Sequence, residues 1–210
     1  MDESTIATIC WLDSIDFRSC LGRLTMGDWF VVAGTRVAET PAELASIWAI
    51  RIALGLMFLV FAIDIHGRKS TDRLTAILWL VGALLSMYHS LGSIATFYHG
   101  SQSMAFEATA QETEELLGIR FGAGLYVNYA FVFVWLVDAL IRVVSPAFYR
   151  QLPKAYRYFT NGFLIFIAIN GAIVFQSGWI RGIGLACVAM LLILSLWSSK
   201  AIRSPGSYKT

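Results

Sequence analysis

Charge is what this chain most lacks. Only 14% of its 210 residues are Asp, Glu, Lys or Arg, against about a quarter in soluble proteins. In their place 57% are hydrophobic, and the mean hydropathy is +0.65. That shortage excludes an ordinary water-coated globule. The formal net charge is +2, and the basic residues are scattered at the ends of apolar runs rather than gathered on one face. Nucleic acid is therefore not expected as a partner.

Cysteine is scarce too. Cys10, Cys20 and Cys187 form no CxxC pair and no metal-ligand spacing. Cys187 lies within an apolar run, where it reads as a small hydrophobe. Cys10 and Cys20 can pair in an oxidising compartment, and two free thiols fit equally well. No GxSxG, HExxH, P-loop or GxGxxG pattern is present to point to an enzyme. There is no internal repeat, and no matched pair of broken helices of the kind many secondary transporters carry. The start lacks the basic n-region of a signal peptide, because Met1-Asp2-Glu3 is acidic and the stretch from Ile6 to Leu12 is short and mixed. The chain is expected to keep this start, with Met26 as the alternative one.

What is abundant is long apolar sequence. Five runs, near residues 47–65, 74–98, 119–144, 158–176 and 180–197, each have about the length of a bilayer crossing. The expected fold is an all-α integral membrane protein, a bundle of about five transmembrane helices with a short outer amphipathic helix. Residues 1–40 read as an extramembrane tail. It mixes Trp11, Phe17, Trp29 and Phe30 with acids and arginines, a composition suited to an interface. Residues 41–200 hold the bundle, and 201–210 form a second tail.

Local signals mark several ends. Thr40-Pro41-Ala42-Glu43 sets an N-cap, a proline at the first helical position and a capping-box glutamate in order. Ser70 or Thr71 can cap the second span, and Pro153 can open the fourth. Residues 102–117 read as the outer helix, ended by Gly118.

Orientation follows from where lysine and arginine collect. Arg68, Lys69 and Arg73 follow the first span; Arg150, Lys154 and Arg157 follow the third; Lys200, Arg203 and Lys209 follow the fifth. The alternate joints lack this excess, since residues 98–118 hold four glutamates and no lysine or arginine, and the last hairpin has only Arg181. The N-terminus is thus expected outside and the C-terminus in the cytoplasm of a bacterial-type inner (plasma) membrane. Trp48, Tyr98 and Trp179 then fall near the outer boundary, and Tyr149, Tyr156, Tyr158 and Trp197 near the inner one.

Polar groups inside apolar spans are costly and mark candidate sites. The second span carries Gly82, Ser86, Ser90, Gly92, Ser93 and Thr96, a small-residue stripe that allows close helix approach. His89 borders it and His99 stands at its outer end. They are about 15 Å apart along one helix, too far for both to ligate one haem or metal ion unless the helix bends. His66, at the other end, can join neither. Each of His89 and His99 remains a candidate cofactor ligand with a partner from elsewhere, and His89 can also serve as interhelical hydrogen-bonding glue. His99, Glu107 and Glu112 are the metal candidates, on or beside an acidic outer helix that also offers Gln111, Glu114 and Glu115. Asn128, Asp138 and Asn170 are expected to be buried polar groups. Asp138–Arg142 and Asp64–Arg68 have the i,i+4 order of helical ion pairs, read as anchors at the inner boundary.

The leading functional expectation is a non-enzymatic accessory subunit or homo-oligomer that acts through the bilayer and a protein partner. A membrane redox or metal/haem protein using His89 or His99 is the second, and a small-solute carrier lined by Asn128, Asn170, Asp138 and Arg120 is the third. If a site exists, it is expected in the outer third, where His89, His99, Glu107, Glu112 and Arg120 can converge.

Overall fold

The computed structural model describes residues 40–65, 73–174 and 178–203. The readings of Cys10, Cys20, Met26, His66, Arg68, Lys69, Ser70 and Thr71 lie outside them. Within them the regular structure is all helical: α1 (Pro41–Ile65), α2 (Arg73–Phe97), α3 (Gln102–Leu117), α4 (Gly124–Val144), α5 (Pro146–Gln151), α6 (Lys154–Ile169), a π-helical turn (Asn170–Val174) and α7 (Gly178–Arg203). Five of these segments are long and apolar enough to cross a membrane: α1, α2, α4, α6 with its π turn, and α7 up to Trp197. The protein is an all-α membrane bundle.

Helix ends follow their local chemistry. At the start of α1 the Thr40 amide donates to Glu43 Oε2 (3.1 Å) and the Glu43 amide donates to Thr40 Oγ1 (3.2 Å), a reciprocal capping box. Ser101 caps α3 by accepting from the Met104 amide, and Gly118 ends it in the left-handed conformation (φ 71°). The third span starts at Gly124 rather than Ile119. Gly118 turns the chain, and Arg120 reaches back to Glu107 and Glu114 on α3, so residues 119–123 are spent on the corner.

The spans close into a ring of neighbours in which α1 packs on α2, α2 on α4, α4 on α6, and α7 on both the π turn and α1. Inside it lies one apolar core: Ala53, Met57, Val60 and Phe61 of α1, Trp79 and Ala83 of α2, Phe131, Trp135 and Ala139 of α4, and Leu164 and Ala168 of α6. Trp79 anchors its centre, edge-on to Phe61 (5.2 Å) and tilted against Trp135 (5.3 Å).

The small-residue stripe of α2 is consumed by this packing. A Cβ at Gly82 would stand 2.7 Å from Trp135 Cζ2, and one at Gly92 3.3 Å from Ser46 Oγ, so the stripe seats α4 at one level and α1 at another. Near the other end of α6, Asn170 Nδ2 donates to the Phe166 carbonyl (2.7 Å), and the helix widens into the π turn. The turn brings the Ala172 backbone so close to α7 that a Cβ at Gly184 would lie 2.6 Å from its carbonyl oxygen.

Candidate functional site

Two polar clusters are built into the bundle, one near each end. The first centres on Asp138 of α4, which is 1% exposed. Trp79 Nε1 donates to Asp138 Oδ2 at 2.8 Å, Arg142 Nε donates to the same oxygen at 2.7 Å, and the Tyr156 hydroxyl donates to Oδ1 at 3.3 Å. Helices α2, α4 and α6 therefore meet on one carboxylate. The Arg142 guanidinium, also 1% exposed, lies over the rings of Trp79 (4.5 Å) and Tyr149 (4.9 Å), and its Nη1 stands 3.8 Å from Asp64 Oδ2 of α1. Burial is the main cause that pushes the Tyr149 phenol up to about 12, and the nearby Asp138 and Asp64 carboxylates add to it.

This arrangement corrects the expectation of a simple boundary anchor at Asp138–Arg142, while the Asp64–Arg68 pair includes a residue outside the described ones. Asp138 and Arg142 are enclosed, and Asp64 crosses to Arg142, joining α1 and α4. Sequence reading missed Trp79, Tyr149 and Tyr156 as partners. The signal was present for Trp79, because an indole N–H inside an apolar span needs an acceptor, and Asp138 is a carboxylate in a span that packs beside it.

The second cluster joins α1 and α2. His89 Nδ1 lies 2.9 Å from the Ser46 carbonyl oxygen, Ser46 Oγ donates to the His89 carbonyl (3.2 Å), and Ser46 and Ser93 hydroxyls are 3.1 Å apart. A carbonyl only accepts, so Nδ1 carries the proton. In the neutral ring the lone pair then sits on Nε2. Ser46 is fully buried and His89 half-buried.

The other expected residues do not join either cluster. His99 is exposed in the turn before α3, with a left-handed φ of 50°. Glu107 and Glu114 both hold Arg120 on the exposed outer helix, with Arg120 Nη1 donating to Glu114 at 2.8 Å. The hydrogen bond to Glu114, followed by the charges of the two glutamates, holds the guanidinium more firmly protonated than usual. Glu112 is half-buried. Among the described residues no three His, Cys, Asp or Glu side chains group so as to hold a metal ion.

Of the three polar groups expected to be buried, only Asp138 is enclosed. Asn170 is half-buried and spends its amide on its own helix. The expectation for Asn128 is corrected: it is exposed in the second turn of α4, beside exposed Tyr126, Val127 and Ala130. It shares a face with Trp135, but the buried side of α4 is interrupted between Leu125 and Phe131, and Asn128 falls in that uncovered turn.

The chain matches no family model, no curated protein and no solved structure.

Proposed function

We propose that the protein is an interaction subunit of a bacterial-type plasma membrane, non-enzymatic, with its N-terminus outside and its C-terminus in the cytoplasm, working as a homo-oligomer or as an accessory to another membrane protein. The observation that carries this reading is on α7, the least covered of the five spans. Gly178, Gly182 and Ala186 recur at four-residue spacing on its exposed side, and no heavy atom lies within 4 Å of where a Cβ would stand at Gly178 or Gly182. Small residues in this repeat let a second helix approach closely, and the packing contact so gained is a major source of association in lipid. On α2 the corresponding stripe is filled from within at Gly82 and Gly92, whereas the one on α7 is open.

The test is disulfide cross-linking in native membranes of a chain whose three native cysteines are replaced. A single cysteine at Ala186 should yield a cross-linked dimer or a cross-link to a partner, and Gly182→Leu should abolish it. A monomer by both cross-linking and mild-detergent purification, with nothing co-purifying, would overturn the proposal.

Orientation has its own check. Lysine and arginine of the joints near residues 68–73 and 150–157 support a cytoplasmic side there. Ser103 and Gln151 are both exposed. With native cysteines removed, a cysteine at Ser103 should react with an impermeant thiol reagent in intact cells, and one at Gln151 only after lysis. The opposite pattern would reverse the topology.

A second reading, a haem or metal ligand at His89, is favoured by one contact. Metal-binding histidines usually donate their other ring N–H to a carbonyl or carboxylate, which is how His89 Nδ1 is placed against Ser46. An optical spectrum and elemental analysis of the purified protein test it: a bound chromophore or metal that disappears in a stably folded His89→Gln variant supports the ligand role. Wild-type protein with neither removes it.

A further inference from the structure

Arg51 is set within the apolar run of α1, between Ile50 and Ile52, ten residues or about 15 Å from the start of that helix. A cation there needs a counter-charge or a route to water. Arg142, an arginine enclosed at the end of a span, has Asp138 and Asp64. Arg51 meets no carboxylate among the described residues, whose ion pairs all belong to Arg120 and Arg142. Its guanidinium lies instead over two indoles, that of Trp48 at 5.1 Å on its own helix and that of Trp179 at 6.0 Å on the first turn of α7.

Indoles attract the cation through their faces but accept no hydrogen bond in the ring plane, so five N–H donors are left to a group outside these contacts. Trp48 and Trp179 are both partly exposed, 39% and 42%. Tryptophans of this kind gather at the headgroup level, and a long arginine side chain reaches that level from inside the span. Phosphate matches the planar fork of a guanidinium with two parallel hydrogen bonds, and phosphate is what the membrane offers at this depth.

We infer that Arg51, cradled by Trp48 and Trp179 at the end of the bundle where α1 and α7 begin, binds the phosphate of an anionic membrane lipid. The site joins two helices, so an occupied site ties α7 to α1. It does not depend on the proposed partner or on which side of the membrane that end faces. Arg181 supplies an internal control: it is exposed on the same turn of α7 but about 200° round the helix from Trp179.

The full chain, purified in mild detergent and stripped of lipid, is assayed by thermal unfolding and native mass spectrometry. The additions are phosphatidylglycerol, a neutral galactolipid or sodium phosphate. Phosphatidylglycerol should raise the unfolding temperature and remain bound, whereas the galactolipid should do neither. Arg51→Gln should weaken its binding roughly tenfold, as expected when charge-assisted hydrogen bonds are lost. Arg51→Lys, which keeps the charge and loses the fork, should fall between, and Arg181→Gln should bind as the wild type does. Equal binding by wild type and Arg51→Gln, or by phosphatidylglycerol and galactolipid, would overturn the site. Sodium phosphate matching the lipid at equal concentration would overturn the lipid as its source. Should Arg51→Gln fail to fold, Arg51→Lys with wild-type affinity would overturn it equally.

Discussion

Asp138→Leu should destabilise the protein by about 3–5 kcal/mol, the usual cost of removing one member of a buried ion pair. The reason is what remains. Arg142 would stay 1% exposed with only Asp64, 3.8 Å away, while Trp79 Nε1 and the Tyr156 hydroxyl would lose their acceptor. Asp138→Asn should cost less in packing yet still leave the guanidinium against a neutral amide. The decisive comparison is the double variant Asp138→Leu with Arg142→Met. It removes the stranded cation and leaves only the orphaned donors, each worth about 1–3 kcal/mol when unsatisfied. The double variant should therefore be more stable than Asp138→Leu alone. Unfolding in mixed detergent and SDS measures this. A single variant within about 1 kcal/mol of wild type, or a double variant with the two penalties simply added, would show that the cluster does not bind its members as described.

The second large effect is at Gly82, where α2 and α4 touch through Trp135. Gly82→Leu should cost about 1–3 kcal/mol or more from overpacking, because even the first carbon would lie 2.7 Å from Trp135 Cζ2. Ser86→Leu, at a buried position one turn on, should behave similarly, whereas Leu84→Phe, on the exposed side, should be nearly neutral. Gly82→Ala carries the sharper test, because Trp135→Phe deletes both ring atoms in its way, Cζ2 and Cη2, together with an indole N–H that has no partner. The pair should be more stable than the sum of the two single changes predicts, the signature of direct contact. Strict additivity, or equal damage from Leu84→Phe, would mean that this face of α2 does not meet α4.

These expectations also mark how far the sequence could be read. The capping box at Thr40, the outer helix closed by Gly118 and the apolar runs were legible because each is a local matter: a cap, a left-handed residue or a run length depends on neighbours a few positions away. Asp138 with Arg142 was legible as an i,i+4 pair for the same reason. Its environment was not. Whether such a pair is a wet anchor or an enclosed charge depends on which side chains of other helices arrive, here Trp79, Tyr149 and Tyr156. Asn128 failed in the opposite sense, since a polar residue on the right face of α4 still falls in the turn between Leu125 and Phe131 that neighbours leave uncovered.

The α2 stripe shows the same division. Spacing announced a face for close helix approach, and the tertiary structure decided that α4 takes Gly82 and α1 takes Gly92, while Gly178 and Gly182 of α7 stay uncovered. The acidic outer helix announced charge, and the corner at Gly118 decided that Arg120 would pair with Glu107 and Glu114. Composition and run length by themselves determined that this chain lives in a membrane as a helical bundle, because the cost of placing backbone and charge in lipid is paid residue by residue. Which polar groups meet was decided only by the ring order of α1, α2, α4, α6 and α7, because contacts such as Trp79 with Asp138 and Ser46 with His89 join residues 59 and 43 positions apart. No local periodicity encodes a separation of that size.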